Sequence, residues 1–125
     1  MKSAGVWPVL VATAGASAVL LGAFGAHALN GRLDAQAMSV WHTAVDYQFW
    51  HALALAVAAF AAPSGRERTI ALRAFGLGIA LFSGSLYALA LGAPHRIGAI
   101  TPLGGLAFIV GWVALGLALR ARATN

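Results

Sequence analysis

The hydrophobic and polar positions of the chain alternate on the scale of whole helices. Four long apolar stretches cover residues 6–29, 41–62, 70–91 and 100–119, and short polar segments separate them. A helix needs about 20 apolar residues to cross the ~30 Å hydrocarbon layer of a membrane. The pattern therefore predicts an all-α integral membrane protein in which residues 1–125 form a single transmembrane domain of four spans.

The first apolar stretch has an alternative interpretation as a secretory signal. Lys2 supplies a positive start, and Ala26-His27-Ala28 resembles a cleavage site between small residues. The apolar run exceeds the roughly 7–15 residues of a secretory core. We therefore expect it to be a membrane span.

Turn signals and cations predict the topology. Asn30-Gly31 marks a turn, Asp34 is a candidate N-cap for a helix from Ala35, and Pro63-Ser64-Gly65 stops that helix. Connections this short make consecutive helices antiparallel neighbours in a four-helix bundle. Most cations fall on one side of the predicted spans (Lys2, Arg66, Arg68, Arg73, Arg120 and Arg122), and Arg32 and Arg96 fall on the other. This asymmetry predicts that both termini are cytoplasmic.

Composition excludes several classes of protein. The chain is 61% hydrophobic and 9% charged, whereas a soluble domain carries roughly 25% charged residues. The net charge of +5 is scattered rather than clustered, so we expect no nucleic-acid partner. Cysteine is absent, which removes disulfides and thiolate sites. No phosphate loop, paired carboxylates or Ser-His-Asp arrangement is indicated, so we expect no cofactor and no enzymatic activity.

Small residues recur at every fourth position of the apolar stretches. The third stretch has Gly76, Ala80, Gly84, Ala88 and Gly92 on one helical face. Such a face lets membrane helices pack closely. A groove lined by these residues is the alternative interpretation.

A few polar side chains fall within the predicted spans, where such residues are candidates for function. The candidate ligand-binding residues are His27, Gln48, His51, Ser83, Ser85, Tyr87 and Thr101. Counting ~1.5 Å per residue places them in the outer half of the bundle. Gln48 and His51 share a face with Ala44, Ala54 and Ala58, so we expect this face to point inward. His42 and Asp46 lie on another face, where we expect them to pair.

Other interpretations of these residues remain open. Gln48 and His51 could serve only as hydrogen-bonding groups between helices. A metal site could use His27, His42, Asp46 and His95 at the outer rim, although they follow no metal-binding motif. A haem would need two histidines at one depth, which His27 and His51 do not share. A proton path would have to continue past Thr13 and Ser17.

Four stretches in combination carry a resemblance to one family. They read GAFGAHAL (22–29), YQFWHALAL (47–55), LFSGSLY (81–87) and GAITPLGGLAFIVGW (98–112). On these motifs the chain resembles the bacterial inner-membrane proteins grouped as domain of unknown function 423, whose eukaryotic relatives include transmembrane protein 256. The resemblance implies a small multi-span protein of the cytoplasmic membrane. Its motifs contain all seven candidate residues.

We therefore predict a non-enzymatic protein of the bacterial inner membrane, which binds a lipid or a membrane partner through an outer-leaflet polar pocket. Pro102 suits the first turn of the fourth helix, and Gly104 and Gly105 would admit a close backbone or a lipid headgroup. The alternatives are a small transporter for a proton or solute, and an accessory subunit of a larger membrane complex. A homo-oligomer is also compatible with the sequence.

Overall fold

The computed structural model describes residues 5–123, which contain four long helices and no β-strand. These are α1 (Trp7–Leu29), α2 (Ala35–Phe60), α3 (Arg66–Ala90) and α4 (Thr101–Ala123). A 3₁₀ turn, His95–Ala99, precedes α4. Lys2, one of the cations used to predict orientation, lies outside the described residues.

The helix boundaries follow local chemistry. The Asp34 side chain accepts a hydrogen bond of 2.8 Å from the backbone N–H of Ala37, which confirms the predicted N-cap of α2. Gly31 and Gly92 have positive φ angles of 85° and 102° in the connections after α1 and α3, which glycine adopts without steric cost. Arg66 begins α3 ahead of the predicted apolar stretch, because charged residues can continue a helix beyond the membrane.

Two helices contain π-helical segments that the apolar pattern did not predict. They are Gly25–Leu29 at the end of α1 and Ile79–Ser83 in the middle of α3. A π segment adds one residue to a helical turn, so the face that points in a given direction before the segment is rotated relative to the face after it. The second segment lies where α3 packs against both α2 and α4.

The helices are antiparallel in sequence order, as predicted. α2 packs against α1 on one side and α3 on the other, and α3 also packs extensively against α4. The main core lies where α2, α3 and α4 meet, around Leu55, Leu72, Phe75, Phe108 and Leu115. α2 and α4 approach each other over only a few residues, so a gap is left between them on one side.

Three of the described helical segments are long and apolar enough to cross a membrane: Trp7–Leu29, Arg66–Ala90 and His95–Ala121. The remaining helix, α2, is longer than α1 but carries Asp46, Gln48 and His51 near its middle. These residues lower its mean hydropathy. Gln48 and His51 are each only 4% exposed, so most of that polarity is buried between helices.

Glycines on α4 allow it to approach α3 closely. A Cβ on Gly104 would lie 2.8 Å from the Cα of Phe82 and nearer still to its backbone nitrogen. A Cβ on Gly111 would lie 2.7 Å from the ring of Phe75. The predicted close backbone contact at Gly104 is therefore confirmed, whereas Gly105 meets only the Phe82 ring edge at 3.9 Å.

Candidate functional site

Gln48 joins three helices through its side-chain amide. Its Nε2 donates to the Ala14 carbonyl oxygen at 3.0 Å and to Ser17 Oγ at 2.7 Å, both on α1. Its Oε1 accepts a hydrogen bond of 2.6 Å from the Tyr87 hydroxyl on α3. Ser17 lies near the midpoint of α1, so this group reaches deeper than the outer third of the helices.

Trp41 fixes the position of Tyr87 at the same end of the bundle. The Trp41 ring is 2% exposed and packs edge-on against Tyr87 with ring centroids 4.7 Å apart. Its indole N–H donates to the Leu21 carbonyl oxygen at 2.9 Å. Gly25 admits the ring, since a Cβ there would lie 2.5 Å from Trp41 Nε1. The π segment of α1 thus seats the tryptophan that holds Tyr87.

His51 is held separately from Gln48, on the side of α2 that faces α4. Its Nδ1 lies 2.6 Å from the Tyr47 carbonyl oxygen, and its Nε2 lies 3.1 Å from the indole nitrogen of Trp112. A carbonyl oxygen only accepts and an indole N–H only donates. Both bonds are satisfied together only when Nδ1 carries the proton, so the geometry assigns an uncharged imidazole.

Aromatic rings hold the His51 imidazole in place. The Phe108 ring stacks on it with a centroid distance of 3.5 Å and an interplanar angle of 7°. Tyr47 stacks on the imidazole at 5.9 Å, and Trp112 approaches edge-on at 5.9 Å. Together with its two hydrogen bonds, this packing leaves His51 little freedom to rotate.

The serine and threonine candidates form two smaller groups. Ser83, in the π segment of α3, donates to the Ala44 carbonyl oxygen of α2 at 2.7 Å. Ser85 Oγ and Thr101 Oγ1 lie 2.5 Å apart and join α3 to the start of α4. These bonds join α2 to α3 and α3 to α4.

The seven candidate residues therefore do not share one pocket. Gln48 bonds to Tyr87, Ser85 bonds to Thr101, and Ser83 and His51 each have other partners. His27 is exposed in the π segment of α1 and contributes to none of these groups. Among the described residues, no buried side-chain nitrogen or oxygen lacks a partner. The inward face predicted from Ala44, Gln48, His51, Ala54 and Ala58 is confirmed, because all five are buried.

An open groove of about 890 Å³ lies between α2 and α4, with α3 as its floor. Its walls are mainly aromatic, and Trp50 and Trp112 are 52% and 50% exposed at its edges. Of the seven candidates, only His51 lines it. The residues that form it are Tyr47, Trp50, His51, Phe82, Pro102, Gly105, Leu106, Phe108, Ile109 and Trp112.

Polar residues alone could not reveal this aromatic groove from the sequence. Phe108 and Trp112 are one helical turn apart on α4, and Tyr47 and Trp50 flank His51 closely on α2. That spacing is the signal that the sequence does offer. It does not show that the two helices stand apart, because the separation depends on how each packs against α3.

The outer-rim metal alternative has no structural support in residues 5–123. No group of three histidine, aspartate or glutamate side chains comes together there. His42 and Asp46 are both exposed, and the expected pair between them does not form in the described part of the chain.

Comparison with known proteins places the chain among membrane proteins. Residues 21–105 match the family described as "Protein of unknown function (DUF423)". The UPF0382 membrane protein YwdK of Bacillus subtilis is 49% identical over 81% of this chain and 85% of its own length. The UPF0382 inner membrane protein YgdD of Escherichia coli is 37% identical over 86% of this chain and 83% of its own length. No solved structure matches the chain.

Proposed function

The chain belongs to the DUF423 family of membrane proteins, and from that premise we propose that it binds a membrane lipid in the groove between α2 and α4. The observation that carries the proposal is the groove itself, an open cavity of about 890 Å³ with half-exposed tryptophans at its edges. Its mouth lies on the helix surface that faces lipid when the helices span a membrane. In that orientation, the molecules next to the mouth of the groove are the acyl chains of membrane lipids.

We also propose that all four helices cross the membrane, with both termini in the cytoplasm. α2 is antiparallel to α1 and α3 and packs between them, so it occupies the same layer as the two helices beside it. Arg66 and Arg68 begin α3 and Arg120 lies near the end of α4, on one side, whereas Arg32 and Arg96 lie on the other. The positive-inside rule then makes the first side cytoplasmic.

The length of the groove suits one membrane leaflet. Pro102 lies in the first turn of α4, and Trp112 lies at the midpoint of that helix. Ten residues of helix rise about 15 Å, which is half of the ~30 Å hydrocarbon thickness. In the proposed orientation, the groove follows an outer-leaflet chain from the surface to the bilayer centre.

The chemistry of the walls favours binding over catalysis. Both ring nitrogens of His51 are engaged by the Tyr47 carbonyl and the Trp112 indole. No other histidine and no carboxylate lines the groove. Rigid aromatic faces offer a large apolar contact area with little loss of side-chain freedom, and acyl or isoprenoid chains gain affinity from such surfaces.

Filling the groove is expected to weaken lipid binding there without unfolding the protein. Gly105 lines the groove, and a Cβ there meets only Phe82 Cδ2 at 3.9 Å, which is ordinary contact. We expect Gly105→Leu to weaken binding of dioleoyl phosphatidylcholine at least tenfold, because the leucine occupies the space for the chain. Native mass spectrometry of the protein titrated with that lipid in a mild detergent measures the change.

Gly116→Leu is the matched control for this experiment. It makes the same substitution on the same helix, at an exposed position with no atom within 4 Å of the new Cβ and outside the groove. Lipid binding by this variant should equal that of the unaltered protein. Equal binding by both variants would show that the lipid does not occupy the groove.

A further inference from the structure

Asp46 is an acidic side chain exposed on the outer surface of α2. Taking the outer edge of the hydrocarbon layer near Thr43, Asp46 lies three residues further along the helix, or about 5 Å inside that edge. No hydrogen bond or ion pair engages its carboxylate within residues 5–123. A carboxylate near the edge of the hydrocarbon layer is unfavourable without a compensating positive charge. Because the described residues supply none, we expect a cationic group from elsewhere to bind beside it.

Two cavities adjoin at Asp46. One, of about 720 Å³, lies at the α1–α2 connection and includes the polar side chains of Asn30, Ser39, His42 and Thr43. The other, of about 390 Å³, runs between α1 and α2 and is otherwise lined by apolar residues, among them Val45 and Phe49. Asp46 lines both cavities. The carboxylate therefore stands at the border between a polar recess and an apolar groove.

From this arrangement we infer that Asp46 binds the ammonium group of an aminophospholipid. The polar recess holds the headgroup, and the apolar groove between α1 and α2 takes part of an acyl chain. A primary ammonium donates up to three hydrogen bonds, and its positive charge compensates the negative charge of the Asp46 carboxylate. The trimethylammonium of phosphatidylcholine has no N–H to donate, and the headgroup of phosphatidylglycerol has no cation.

This site is separate from the groove between α2 and α4. Trp50 is the single residue that lines both the larger groove and the cavity between α1 and α2. His42 is the one other titratable side chain lining the polar recess, and no arginine or lysine lines it in the described residues. The described part of the chain thus places no arginine or lysine at Asp46, which favours a cationic headgroup as the occupant.

The test compares dioleoyl phosphatidylethanolamine, phosphatidylcholine and phosphatidylglycerol by native mass spectrometry of the detergent-solubilised protein. The unaltered protein is expected to bind phosphatidylethanolamine at least fivefold more tightly than either other lipid. Asp46→Asn removes the negative charge and keeps the shape of the side chain. The ratio of the affinity for phosphatidylethanolamine to the affinity for either other lipid should therefore fall to about one. Because Asp46 is exposed and has no hydrogen-bond or ionic partner within residues 5–123, we expect this variant to remain folded, which its thermal unfolding in the same detergent checks.

Asp34→Asn is the matched control. It removes a carboxylate on the same side of the protein, and asparagine can still cap α2, so the preference should persist. Equal binding of the three lipids by the unaltered protein, or a preference retained by Asp46→Asn, would overturn the inference. A dimer that is lost in Asp46→Asn, with no lipid preference, would instead assign the carboxylate to a contact with a second copy of the chain.

The proposals for this site and for the larger groove can be tested independently. Gly105→Leu fills the larger groove, so it should keep the preference for phosphatidylethanolamine at Asp46.

Discussion

Gly104→Ala is expected to destabilise the helix bundle by about 3 kcal/mol, because the added methyl group meets backbone rather than a movable side chain. The new Cβ would lie 2.8 Å from the Cα of Phe82 and nearer to its nitrogen. A side chain could rotate away, but backbone can yield only if α3 and α4 move apart. Their separation would loosen the contacts of Phe75 and Phe108 in the main core.

The neighbouring residue provides the control for this prediction. Gly105→Ala makes the same change one position along α4, where the nearest atom outside the helix is 3.9 Å away. We expect its free energy of unfolding to change by no more than about 0.5 kcal/mol. Unfolding both variants in mixed detergent micelles by increasing the fraction of dodecyl sulfate measures the difference. Similar stabilities would contradict the close contact between α3 and α4.

The sequence was sufficient to predict the helices and their order. Apolar stretches and turn residues located four antiparallel helices, and Asp34 was correctly expected to cap α2. The spacing of Ala44, Gln48 and His51 correctly placed one face of α2 inside the bundle. These features depend on residues close in sequence, which the helical period relates directly.

The partners of the buried polar residues could not be predicted in the same way. Depth counting put Gln48, His51 and Ser83 into one group, but the structure gives each a different neighbour. A rotation of a helix by a fraction of a turn exchanges such neighbours, and the π segment Ile79–Ser83 introduces such a shift within α3. Apolar patterning contains no signal for that extra residue.

The central position of α2 explains why its mean hydropathy is low. A helix that packs between two others can carry polar residues, because the neighbouring helices satisfy them. Gln48 bonds to α1 and α3, and His51 bonds to Trp112 on α4. The polar residues of α2 therefore do not conflict with its place between α1 and α3, whereas α1 contacts mainly α2 and is apolar along most of its length.

Gln48→Met is expected to lower the free energy of unfolding by about 2 kcal/mol, because it removes three hydrogen bonds that each contribute roughly 0.6 kcal/mol between membrane helices. Methionine nearly matches glutamine in size, so packing is retained while the bonds to Ala14, Ser17 and Tyr87 are lost. The helix order should survive, since the apolar core around Phe75 is untouched. Unfolding by dodecyl sulfate in mixed micelles measures the loss.

A double-mutant cycle with Tyr87→Phe isolates the bond of 2.6 Å between Tyr87 and Gln48. We expect a coupling energy of roughly 0.6–1.7 kcal/mol, so the double variant should be more stable than the sum of the single losses indicates. Tyr47→Phe is the control, because no hydrogen bond engages the Tyr47 hydroxyl in residues 5–123, and it should show no coupling to Gln48→Met. If the losses at Gln48 and Tyr87 simply add, the amide does not join α2 to α3, and the bond from Ser83 to the Ala44 carbonyl oxygen and the apolar core then hold these two helices together.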